Sequence, residues 1–192
     1  MRLTSTILLH PSFRERIAHV YKSLEDESIP LALYEGVRTP WRQAELYARG
    51  RTTGGGKIVT RAKAWQSFHQ YGLAVDFVFE APDGGWTWDE PVSGMWDRYH
   101  EIARAAGLEP LSSERPHVQL PWSIADLRAG RLPPGGEDTE WERWIADQAE
   151  RWGTFERDCA GSWHPGAPAA LLDLDARPEL SEIPTPKPEI HG

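Results

Sequence analysis

The chain has 192 residues, 40% of them hydrophobic and ten of them tryptophan, enough for one good core with an appendage. Its formal net charge of −8 argues against a nucleic-acid partner, because phosphate binding needs a basic face. The single Cys159 excludes an internal disulfide framework, and no apolar run is long enough for a membrane-spanning helix.

In chain order, the opening MRLTSTILLHPSF makes a poor signal peptide. Thr4, Ser5 and Thr6 dilute a short apolar run that His10-Pro11 then ends. The protein is therefore expected to be cytoplasmic as synthesised. Residues 11–25 read as a helix: Pro11 suits a first turn, and Phe13, Ile17, Val20 and Leu24 share a face. Leu31 to Val37 reads as a strand. Thr39-Pro40 then caps a helix running to about Gly50. Residues 51–66 form a loop broken by Gly54-Gly55-Gly56, and Leu73 to Phe79 is a second strand. Asp83-Gly84-Gly85 marks a turn. Ser93 is expected to cap a helix that Gly107 ends, and His117 to Leu120 reads as a short strand.

Beyond it, Ser123 to Ala129 is a short helix with Gly130 at its end, and Leu132 to Gly136 a linker. Thr139 and Glu142 make a capping box. The helix that follows places Trp141, Trp144, Ile145, Gln148 and Trp152 on one stripe, with Gly153 expected to stop it. From about Pro165 the chain is rich in proline, reading as an extended tail dispensable for catalysis. The expected organisation is an α+β domain over 1–130, with a small central antiparallel sheet flanked by helices. A linker and tryptophan-rich helix follow over 131–164, then a tail over 165–192.

Charge divides along the same line. Residues 1–130 carry 15 basic against 16 acidic residues, and residues 131–192 carry 6 against 13. Within the first part, Arg38, Arg42, Arg49, Arg51, Lys57, Arg61 and Lys63 form a basic stretch suited to attracting carboxylates.

Chemistry concentrates in Ser67-Phe68-His69-Gln70-Tyr71-Gly72-Leu73-Ala74-Val75-Asp76 and, far downstream, Glu114-Arg115-Pro116-His117. Two imidazoles and a carboxylate are a donor set for a catalytic zinc, which keeps a position open; a structural site would close it with a fourth ligand. A second carboxylate stands three residues before the last histidine. The remaining histidines, His10, His19, His100, His164 and His191, have no partner at a telling spacing and read as structural or exposed.

These segments resemble the zinc peptidases that cut peptidoglycan stem peptides. That family comprises the D-Ala-D-Ala carboxypeptidases and L-alanyl-D-glutamate endopeptidases, with VanY-type enzymes and phage endolysins among them. The signature Ser-x-His-x-x-Gly-x-Ala-x-Asp, followed by an acid, two residues and a histidine, stands here as SFHQYGLAVD and ERPH. Arg38 in EGVRTPWRQAELYARGRT and the stretch GGKIVTRAKAW extend the resemblance across roughly residues 8–121. It implies a D-Ala-D-Ala metallopeptidase-like fold and Zn²⁺ held by His69, Asp76 and His117. It further implies Glu114 as the general base and Arg38 as the cation facing the oxyanion. Ser67 and Gln43 are implied as contacts to substrate or to the ligand loop.

The implied activity is hydrolysis of stem-peptide amide bonds, foremost L-Ala-D-Glu, by a phage- or prophage-type lysin that reaches the cell wall after release. The alternatives are a D-alanyl-D-alanine carboxypeptidase and a non-catalytic phage or wall-binding component. The expected partner is the peptidoglycan stem peptide, with no membrane insertion and a monomeric chain. Two departures stand out: Gly107 to Ser113 runs almost directly into the acid, shortening one cleft wall, and the acid is Glu rather than Asp.

Overall fold

A computed structural model describes residues 2–137, 139–158, 165–168 and 171. Cys159, His164, Leu172, Leu174, His191 and most of the expected tail lie outside the described residues.

Five strands form one antiparallel sheet, β1 Leu31–Glu35, β2 Ala74–Glu80, β3 Trp86–Thr87, β4 Glu109–Leu111 and β5 Glu114–Gln119. The order is β1-β2-β5-β4, with β3 pairing the far end of β2. Around it lie α1 Pro11–Asp26, α2 Pro40–Ala48, α3 Met95–Ala105, α4 Ile124–Arg128 and α5 Glu140–Asp158. This is the α+β arrangement expected from the sequence.

Alternation along β2 divides the sheet into two faces. Phe77 and Phe79 meet the helices: Phe77 packs against Tyr21 of α1 and Tyr99 of α3, and Phe79 against Trp96. The stripe Phe13, Ile17, Val20 and Leu24 of α1 is fully buried in this core. Asp76 and Val78 point to the opposite face, where the candidate site lies.

Several boundaries differ from expectation for local reasons. Ser93 does not cap α3. Gly94 sits at the cap position in a left-handed conformation, and the Glu90 carboxylate accepts from the Trp96 amide at 3.1 Å. Strand β5 starts at Glu114 rather than His117, because Ser112-Ser113 closes a tight hairpin with β4. Strands β3 and β4, three residues or fewer, left no periodic trace in the sequence. Gly153 does not stop α5, which continues to Asp158. Thr139 does cap that helix, its hydroxyl accepting from the Glu142 amide at 3.3 Å.

The tryptophan stripe of α5 packs inward: Trp141, Ile145 and Trp152 are fully buried, and Trp152 meets Trp41 of α2 edge-on. Contacts reach from this core into the segment expected as tail. The Trp152 indole donates to the Pro165 carbonyl at 3.3 Å, and Leu171 is 1% exposed within the core. A chain ending at residue 164 is therefore expected to melt at lower temperature. Leu171→Ala should cost about 2–5 kcal/mol, the usual range for emptying a buried leucine site. Urea unfolding followed by circular dichroism checks this, and an unchanged midpoint would return Leu171 to a dispensable tail.

Candidate metal centre

The three donors come from three separate pieces of chain. His69 lies on a 3-10 turn, Phe68–Tyr71, between α2 and β2. That turn ends at Gly72 with φ +66°. A side chain there would come within 2.9 Å of the Leu8 carbonyl, so the motif's glycine is a steric requirement. The turn is pinned from both sides. The Arg38 amide donates to the His69 carbonyl at 3.0 Å, and the Trp141 indole of α5 donates to the Tyr71 carbonyl at 2.7 Å. Asp76 and His117 pair directly across β2 and β5, so their side chains share a face.

The donor atoms converge. His69 Nε2 lies 3.3 Å from His117 Nδ1 and 3.5 Å from Asp76 Oδ2, and His117 Nδ1 lies 3.1 Å from Asp76 Oδ1. These spacings match the roughly 3.3 Å edges of a tetrahedron with metal–ligand bonds of about 2.0–2.1 Å. Both ring orientations are set from behind. His69 Nδ1 donates to the Gly36 carbonyl at 2.7 Å, leaving the Nε2 lone pair facing inward. His117 Nε2 lies 3.1 Å from Gln119 Oε1, and Gln119 Nε2 donates to Glu109 at 3.1 Å, which fixes the amide's orientation. With its proton on Nε2 toward that oxygen, the His117 ring turns the Nδ1 lone pair inward. Two lone pairs and a carboxylate aimed at one point repel each other unless a cation sits among them. The residues present therefore fit a divalent metal and could hold one.

Electrostatics agree. Burial, with Arg38 second, lowers the His69 pKa and keeps the ring neutral. Burial works to raise the Asp76 pKa, yet the group is held well below the usual carboxylate range, and the Arg38 guanidinium donating to it at 3.2 Å favours the anion. Asp76 is thus an anion and His69 a neutral donor, the states a metal requires.

Gln119 was not singled out from the sequence. Its signal was position alone: on a strand, residues two apart share a face, so Gln119 stands behind His117. Gln119→Ala should weaken metal affinity by roughly 10–100-fold, the usual effect of removing such a support. Competitive titration with a chelating dye measures it, and unchanged affinity would remove Gln119 from the centre.

Arg38, Ser67 and Glu114 line the same cleft of about 260 Å³ as the three donors. Arg38 is held firmly: Nε donates to Glu35 at 3.0 Å, Nη1 to Gln43 at 3.0 Å, and Nη2 to both Glu35 and Asp76, the latter at 3.2 Å. Four of its five N–H groups are engaged this way, leaving one on Nη1. Ser67 opens the turn that carries His69, and its amide donates to Gln70 Oε1 at 3.1 Å.

Gln43 is not a cleft residue. It is fully buried, its oxygen accepts from Arg38 and Gln70, and its nitrogen donates to the Ala62 carbonyl at 2.7 Å. Its place is behind Arg38, bracing it.

Glu114 reaches the cleft through a bulge. The β4–β5 register shifts between Pro110 and Leu111, so that Leu111 pairs with Glu114. In a regular strand, residues three apart face opposite sides. Pro116, lacking an N–H, breaks the ladder and lets the strand rephase. The freed carbonyls are taken up by α3: His100 Nε2 donates to the Arg115 carbonyl at 2.8 Å and the Tyr99 hydroxyl to that of Pro116 at 3.3 Å. His100 is thus buried and structural, as its lack of a motif partner suggested.

Fold and site together describe an α+β protein in which three convergent side chains could hold a metal, with a glutamate lining the same cleft. No family model matches the chain. It is similar to the peptidoglycan L-alanyl-D-glutamate endopeptidase CwlK of Bacillus subtilis (strain 168). Identity is 36% over 107 residues, covering 53% of this chain and 64% of that protein, so the chain spans less than two thirds of the relative's length. That likeness bears out the resemblance carried by the motifs. Among solved structures, the LD-carboxypeptidase LdcB is 17% identical, covering 58% of each chain at a TM-score of 0.47. The L-Ala D-Glu endopeptidase ChiX of Serratia marcescens is 23% identical, covering 66% of this chain and 93% of its own at a TM-score of 0.43.

Proposed function

We propose that this chain is a zinc peptidase that hydrolyses peptidoglycan stem peptides between L-alanine and D-glutamate, as a lysin acting on the cell wall after release. The observation that carries the reading is the convergence of His69, Asp76 and His117 on one point, with Glu114 in the same cleft. The substrate class is taken from the 36% identical endopeptidase.

His69 Nε2, His117 Nδ1 and an Asp76 oxygen would hold the zinc. Bound there, it supplies Lewis-acid polarisation of the scissile carbonyl and acidifies the attacking water. Glu114 accepts a proton from that water and returns it to the departing amine. Arg38 lines the cleft and keeps one N–H uncommitted, a donor for the oxygen on which negative charge develops. Its bonds to Glu35 and Gln43 set its position before substrate arrives, so no reorganisation is needed during the reaction. Ser67 fixes the start of the turn that presents His69.

Mass spectrometry of a purified disaccharide-pentapeptide ending in D-alanyl-D-alanine, digested by the zinc-loaded protein, tests the reading. The expected products are disaccharide-L-alanine and a peptide with a new D-glutamate amino terminus. Loss of terminal D-alanine alone would make the protein a carboxypeptidase. No cleavage would leave a binding component.

A further inference from the structure

Among the described residues, two tryptophans break the rule that large aromatics are buried here: Trp86 is 57% exposed and Trp88 49%. They bracket one ring, with Tyr34 meeting Trp86 at 5.5 Å and Trp88 at 4.7 Å, both edge-on. The cluster is stiff. The Trp96 indole donates to the Trp88 carbonyl at 3.3 Å, the Asp89 amide donates to Thr87 Oγ1 at 3.1 Å, and the Arg2 guanidinium lies 4.0 Å above Tyr34. Exposed aromatic groups held rigid in this way mark a binding surface.

Its position relative to the metal centre follows from strand register. Trp86 pairs with Glu80 and so shares its face, and Glu80 shares the face of Asp76 by alternation. Four residues of strand separate Asp76 from Glu80, about 13 Å. Tyr34 precedes Glu35, which pairs with Asp76 itself. The aromatic cluster thus begins beside the candidate centre and runs away from it along the same open face of the sheet.

We infer that Trp86 and Trp88 form a subsite for the sugar that carries the stem peptide, an inference that rests on the peptidoglycan reading above. In that polymer the alanine amine bears a lactyl arm on an N-acetylated sugar ring. Alanyl and lactyl units together reach about 7 Å when extended. A chain held with its alanine carbonyl at the metal centre and its amino end running along this face starts the sugar ring about halfway to Trp86, and the ring itself extends toward the tryptophans. Pyranose C–H groups are positively polarised and pack against the negative faces of indoles. Glu80, Asp83 and Asp89, all exposed on the same hairpin, offer acceptors to the hydroxyl groups and disfavour an anionic partner.

The test compares two substrates, disaccharide-L-alanyl-D-glutamyl peptide and the same peptide without sugar, in Trp86→Ala/Trp88→Ala. Both positions are half exposed, and circular dichroism checks that the fold is kept. KM for the sugar-bearing substrate is expected to rise roughly tenfold, the loss of about one good contact, while the sugar-free substrate is unaffected. Trp88→Phe, which keeps a ring face, should restore most of the difference. An equal effect on both substrates, or none on either, overturns the subsite. If the unaltered protein cleaves neither, the functional reading fails. Calorimetric titration with peptide-free glycan strands then decides the subsite alone, and absence of binding overturns it. Self-association of the unaltered protein that the double variant abolishes, without glycan binding, also overturns it by making the patch an interface between copies.

Discussion

Glu114→Gln should leave the metal centre intact and cut turnover by roughly 10²–10⁴-fold, the range for removing a general acid–base group. The amide preserves shape and hydrogen-bonding capacity while losing the ability to accept and return a proton. Glu114 lines the cleft but is not among the three converging donors, so the metal should stay. Glu114→Asp shortens the arm by one methylene, and an intermediate loss is expected, because Tyr99 and His100 hold the bulge carbonyls and keep the strand from following. Turnover and metal content measured on the same Glu114→Gln sample decide the role. Near-normal turnover would remove Glu114 from the mechanism. Metal lost together with activity would make it a fourth ligand.

His69→Ala should be the more damaging change. It removes one of three donors, so metal binding fails, and with it several kcal/mol of stabilisation of the developing charge. A loss of that size corresponds to roughly a thousandfold or more in rate. It also leaves the Gly36 carbonyl without its 2.7 Å partner, an added stability cost of about 1–3 kcal/mol for a buried acceptor. A melting curve alongside the assay separates the two effects. Folded protein with metal absent and turnover abolished is expected. Folded protein with metal retained would mean that His69 is not a ligand.

Much of the fold was legible because its long elements follow simple periods. The α1 stripe repeats every three or four residues, and Ala74 to Phe79 is too continuous for a surface strand. The site was legible as a motif because His69, Gly72 and Asp76 lie close in sequence: the glycine turns the chain into β2, where Asp76 faces the donor of the turn. What the sequence hid depends on pairing between distant segments. Gly36 supports His69 through a backbone carbonyl, which no side-chain pattern reveals. Gln119 acquires its role only through Glu109 on β4, a strand of three residues. Gln43 was implied by the resemblance as a contact to substrate or to the ligand loop, and of these it makes the contact to the loop, through Gln70. Its face of the helix turns inward and supports Arg38 from behind. The bulge that brings Glu114 round to the side of His117 needed Pro116, visible in the sequence, and two α3 side chains whose partner carbonyls were not.

The central claim is that His69, Asp76 and His117 hold one catalytic metal, and metal analysis of the purified protein beside its His117→Ala variant tests it most directly. One zinc per chain is expected in the unaltered protein, falling to a small fraction in a variant that still folds. Full zinc occupancy in His117→Ala would contradict the account.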